Sequence, residues 1–129
     1  MAMNIRKLIL QGEGTMVDFK TTITSVEKIA RTLVAFANNM GGQLLIGVSD
    51  DGSIKGVKSE DEERYMISKS ANQYCKPAIG HTFEEIKVEG KLVLVVHINA
   101  SDTGPHYALD ENKNWGKYFR VNDKSILCK

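Results

Sequence analysis

The chain is predicted to adopt an α+β fold in two layers, with two main helices packed on a mostly antiparallel sheet of four to six strands. Three observations carry that prediction. Val26, Ile29, Ala30, Leu33, Phe36 and Ala37 recur at helical spacing. Residues 43–48 form a short apolar run set between glycines, the pattern of a strand covered on both faces. Beyond residue 80 the periodicity changes to two, with Leu92, Leu94, Val96 and Ile98 on one side of a strand.

The opening ten residues are mildly basic and then apolar, too short for a signal peptide, and read as a first helix or strand. Thr24 or Ser25 can cap the helix over 25–39, because a hydroxyl there satisfies a free amide of the first turn. Gly41 ends it, since glycine accepts the left-handed conformation that closes a last turn. After the strand at 43–48, Asp51-Gly52 is a strong turn dipeptide, and 54–57 returns as the partner strand. Ser59-Glu60-Asp61-Glu62 has capping-box spacing and opens a second helix through Tyr65, Ile67, Ala71 and Tyr74, which Pro77 forces to finish. Residues 81–88 and 91–99 flank the two-residue connection Glu89-Gly90 and read as a hairpin. A loop from 100 to 107 then leads to an aromatic and basic strand at 115–121.

A length of 129 residues suits one domain spanning 1–129 with a single core. The last residues bring no closing helix, which predicts a domain excised from a longer chain. With 42% hydrophobic and 26% charged residues the chain is neither disordered nor membrane-spanning. Its apolar runs, such as 92–96, fall far short of the ~18 residues a span needs. Cys75 and Cys128 lie far apart without a CxxC, which predicts reduced thiols and a cytoplasmic location. A net charge of +1 gives no global attraction to nucleic acid, so any such site has to be a local patch.

Two local patches qualify. Glu13, Asp18 and the Asp50-Asp51 pair form the acidic one. Glu13, Asp18 and Asp50, converging at a sheet edge, would be catalytic residues and ligands for Mg²⁺ or Mn²⁺, which favour oxygen donors and activate water for phosphodiester cleavage. The plainer reading is that Asp50 and Asp51 form the turn while Glu13 and Asp18 are solvated. The basic patch is Lys113, Lys117, Arg120 and Lys124 interleaved with Trp115, Tyr118 and Phe119, with Lys20 as a further candidate nucleic-acid contact. Along an extended strand Trp115, Lys117 and Phe119 share one face, and Gly116, Tyr118 and Arg120 the other. Basic residues beside aromatics suit phosphate contact plus base stacking. An amphipathic edge strand protected by its charges is the structural alternative. A short exposed strand there also allows a homodimer by strand pairing. Gly12-Glu13-Gly14 lacks the third glycine of GxGxxG, and no GxxxxGK[ST] occurs, so a nucleotide phosphate cradle has no support. His81, His97 and His106 show no metal spacing.

Glu13, Asp18-Phe19-Lys20, Ala35-Phe36-Ala37-Asn38, Gly41-Gly42, Leu45-Ile46-Gly47-Val48, Asp50-Asp51-Gly52, Ile54-x-Gly56 and Tyr118-Phe119-Arg120-Val121 together resemble the Schlafen-type AlbA-like DNA-binding domain. The resemblance implies a nucleic-acid-binding domain, in bacteria that of a transcriptional regulator, needing no cofactor to bind DNA or RNA. Some eukaryotic relatives cleave RNA with a carboxylate trio. By motif position that trio falls on Glu13, Asp18 and the 49–51 segment, which implies a divalent-metal-dependent ribonuclease as the alternative function. A protein-interaction or dimerisation module is the third class. Asp18 stands where the family's usual residue is Glu, and Ser49 where many relatives carry an acid. The resemblance therefore supports binding more than cleavage.

Overall fold

The computed structural model describes residues 4–128. The first three residues of the predicted opening element lie outside the described residues. The remainder of that segment forms α1 (Ile5–Gln11), capped by the Asn4 side chain on the Lys7 amide. Strand β1 (Val17–Lys20) follows, then α2 (Val26–Asn38) and β2 (Gly42–Ile46). Of the two candidate caps of α2, Ser25 performs the task, accepting from the Lys28 amide. Gly41 adopts φ +81 and donates to the Phe36 carbonyl to close the helix. A Cβ at Gly41 would meet the Ile98 carbonyl oxygen at 2.5 Å, so packing and conformation both require glycine there.

Helix α3 (Glu60–Gln73) is capped by Ser59 on the Glu62 amide. It turns Ile67 and Ala71 inward, while Tyr65 points to solvent. Strands β3 (Cys75–Lys76), β4 (His81–Val88), β5 (Lys91–Ile98), β6 (Tyr107–Leu109), β7 (Trp115–Val121) and β8 (Lys124–Cys128) complete the chain. The β4–β5 hairpin turns at Glu89 and Gly90, both with positive φ, the geometry that matches the natural strand twist.

The α+β class holds, with eight strands among the described residues divided between two sheets rather than four to six in one. The first sheet runs β1-β2-β5-β4 and the second β3-β6-β7-β8. Among the described residues only β1 and β2 pair in parallel, joined by α2 as the crossover. Helix α2 shares one core with both sheets: Leu33, Val34 and Phe36 cluster with Leu44, Ile46, Leu94 and Val96 of the first and with Ala108 and Tyr118 of the second. That explains why every residue from Ile29 to Ala37 except Arg31 is buried. A smaller core on the other face of the first sheet joins Ile5 to Val17, Phe19, Leu45, Val93 and Val95. Among the described residues no helix is long and apolar enough to cross a membrane.

Candidate functional site

Period two along β1 sends Val17 and Phe19 into the smaller core and turns Asp18 the opposite way, toward β7. There Asp18 is 3% exposed and its Oδ1 accepts from Arg120 Nη2 at 2.7 Å. Lys20 Nζ lies 3.1 Å from Asp18 Oδ2, an ion pair whose angle makes no hydrogen bond, so this buried oxygen has no hydrogen-bond partner among the described residues. Glu13 reaches back from the loop before β1, and its Oε1 accepts from the Phe19 amide at 2.8 Å.

Glu13 is the group through which the acids feel one another. Partial burial raises its carboxyl above the ordinary range, and the charges of Asp18 and Asp50 raise it further, against the lowering by the Phe19 amide and Lys20. The two turn acids divide their tasks. Asp51 accepts from the Ser49 hydroxyl at 2.6 Å and from the Ser53 amide at 2.9 Å, bonds that hold its carboxyl well below the usual range. Asp51 is therefore the turn former, and Asp50 is left exposed to act on Glu13. Even so, among the described residues no three His, Cys, Asp or Glu side chains are grouped to hold a metal ion. Arg120 and Lys20 already hold the two oxygens of Asp18.

The raised Glu13 carboxyl has a consequence for stability. A carboxyl raised in the folded state contributes stability below its unfolded pKa, and this is lost as pH rises through the folded value. Glu13→Gln keeps an oxygen to accept from Phe19 and removes the charge. Urea midpoints should therefore shift in favour of the Gln variant as pH goes from 4 to 7. A difference that stays constant over that range would show that Glu13 is not strained.

The basic patch is reorganised by the second sheet. Alternation along β7 is as the sequence predicts, with Tyr118 and Arg120 inward and Trp115, Lys117 and Phe119 outward. The assignment of Arg120 and Tyr118 as nucleic-acid contacts is corrected by their burial. Tyr118 fills the core against α2. Arg120 donates to the Gly14 and Val17 carbonyls, to Asp18 and to Ser125, with its guanidinium 5.0 Å from the Phe36 ring centre.

The outward face gains residues that sequence reasoning missed. Lys76 pairs across β3–β6 with Tyr107, and its ammonium lies 5.6 Å from the Trp115 ring. Lys117 Nζ sits 5.8 Å from the Phe119 ring. Trp115 is 44% exposed, and Lys113 and Lys124 flank the strand in solvent. Among the described residues none of Lys76, Lys113, Lys117 and Lys124 is paired with a carboxylate. Asn38 and Asn39 were also not anticipated as site-building residues. Asn38 donates to the His106 and Tyr118 carbonyls and accepts from the His106 amide, and Asn39 exchanges two bonds with the Arg120 backbone. They clamp the end of α2 to β7. Two adjacent asparagines where a helix ends were the signal available.

An α+β domain with a lysine-and-aromatic sheet face and a buried Arg120–Asp18 ion pair is the class this geometry defines. The model of the family described as Schlafen, AlbA_2 matches residues 13–129, and the chain belongs to that family. No curated protein matches it. Among solved structures it is similar to the DIP2311 protein of Corynebacterium diphtheriae, with a TM-score of 0.61 and 21% identity over 88% of this chain. The match spans only 22% of the Corynebacterium chain. It is also similar to the N-terminal domain of a RecG-related protein of Nitrosomonas europaea, with a TM-score of 0.61 and 17% identity. That match covers 95% of this chain and 89% of the other.

Proposed function

We propose that this chain binds nucleic acid on the outward face of the second sheet. The observation that carries the reading is the row Trp115, Lys117 and Phe119 on β7, with the Lys76 ammonium against Trp115 and, among the described residues, no carboxylate pairing these lysines. Lysines supply phosphate contacts and the aromatic faces supply stacking, a combination that tolerates any base. The RecG-related neighbour bears a name connected with a DNA helicase, which supports the same reading. The finer role we assign is that of the binding domain of a prokaryotic transcriptional regulator in the cytoplasm, with two copies able to pair along the free edge of β8.

Lys76→Ala with Lys117→Ala should weaken binding to every sequence tested and lower the salt slope by about 1–2 units, since each phosphate contact contributes nearly one. Trp115→Ala should cost about 1–3 kcal/mol of affinity, as lost base stacking does. Fluorescence anisotropy against single-stranded RNA and duplex DNA over a salt series measures both. Unchanged affinity and slope would assign the face to edge protection.

Ribonuclease action at Glu13, Asp18 and Asp50 is a second reading, favoured by the charges of Asp18 and Asp50 on Glu13. Three carboxylates are the right donor chemistry for Mg²⁺ or Mn²⁺. Their placement does not fit such an ion, because Asp18 is held by two cations. RNA cleavage in Mn²⁺, absent in chelator and abolished by Glu13→Gln, would establish this reading.

A further inference from the structure

The misfit between the acidic cluster and a divalent ion has a definite source. Asp18 Oδ2 is buried, makes no hydrogen bond and faces one cation, the ammonium of Lys20 at 3.1 Å. The other oxygen is bound by Arg120, whose side chain is 2% exposed and fixed by four hydrogen-bond acceptors. We propose that Lys20 is the resident cation of this cluster, its ammonium standing where a divalent ion would have to bind.

A Mg²⁺ ion ligated by Oδ2 sits about 2.1 Å from that oxygen, and would lie beside an ammonium 3.1 Å from the same atom. Like charges that close repel strongly in a partly buried site, where screening by water is weak. Lys20 serves more than Asp18 alone. Its charge also acts on Glu13, against those of Asp18 and Asp50, so one ammonium bears on two carboxylates. Of the two cations here, Lys20 is the exchangeable one. Its side chain is 42% exposed on a flexible stem, whereas Arg120 is locked by backbone carbonyls. Divalent ions therefore enter only when Lys20 leaves, and removing its charge should open the site to them.

The test is a Mn²⁺ titration of the whole chain, followed by the electron paramagnetic resonance signal of free aqueous Mn²⁺. Lys20→Met should bind Mn²⁺ at least tenfold more tightly than the unaltered protein. Lys20→Arg, which keeps the charge, should bind as weakly as the unaltered protein. Adding Glu13→Gln to Lys20→Met should remove the gain and so locate the ion at the cluster. Lys20→Gln provides a second neutral variant if the Met side chain disturbs folding, as judged by circular dichroism. Mn²⁺ binding by the unaltered protein as tight as by either neutral variant would overturn the proposal. Folded neutral variants that show no gain would also overturn it. No nucleic acid is present in these titrations, so their failure leaves the sheet-face reading standing, and failure of that reading leaves this one.

Discussion

Replacing Arg120 with alanine is expected to cost the fold about 3–5 kcal/mol, the range for removing one partner of a buried ion pair. The cost arises in the partner left behind. Asp18 is 3% exposed, and without Arg120 it would keep only the angled contact of Lys20. The Gly14 carbonyl and the Ser125 hydroxyl would lose this donor in the same step, while the Val17 carbonyl would keep only the Gly14 amide. Arg120→Lys should recover only part of the loss, because one ammonium cannot span carbonyls and a carboxylate that a planar fork reaches together. Urea denaturation followed by circular dichroism measures both variants. A loss under about 1 kcal/mol, the range of solvent-exposed pairs, would mean that Lys20 alone sustains Asp18.

Leu33→Ala should destabilise the protein by about 2–5 kcal/mol, as truncation of a buried leucine does. Leu33 is fully buried on α2, in the core that contains Leu44 and Leu94 of the first sheet and Tyr118 of the second. The elements around it are held by strand ladders and by the Asn38 and Asn39 bonds to His106, just before β6, and to β7, so collapse into the cavity is restricted. Lys117→Ala is the matched control on the outward face, with an expected change within about 0.5 kcal/mol. A Leu33 variant as stable as that control would contradict the placement of α2 in the shared core.

Much of this architecture was legible because local physics decides it. Ser25 and Ser59 cap their helices through amides three residues ahead, and Gly41 and the Glu89-Gly90 turn need positive φ that neighbouring residues cannot alter. The two faces of β7 follow from its period of two alone. The family pattern likewise depends on residues at fixed offsets in the chain.

The division into two sheets was not legible. Strand β3 has two residues and β6 three, too short for any periodicity to register, and β6 begins at the end of a segment that reads as loop. Asp51-Gly52 already reads as the turn in the sequence; the structure adds the bonds from the Ser49 hydroxyl and the Ser53 amide that occupy Asp51 there.

Residues a few positions apart settle α2 and α3, the β4–β5 hairpin, the family pattern and which β7 side chains lie together, while the opening segment reads as helix or strand alike. Packing of the second sheet sets which β7 face meets solvent, burying Arg120 and Tyr118 and bringing Lys76 beside Trp115. Arg120 and Asp18 stand 102 positions apart. A buried arginine and a phosphate-binding arginine look alike in sequence, and what separates them is whether packing brings a carboxylate within reach.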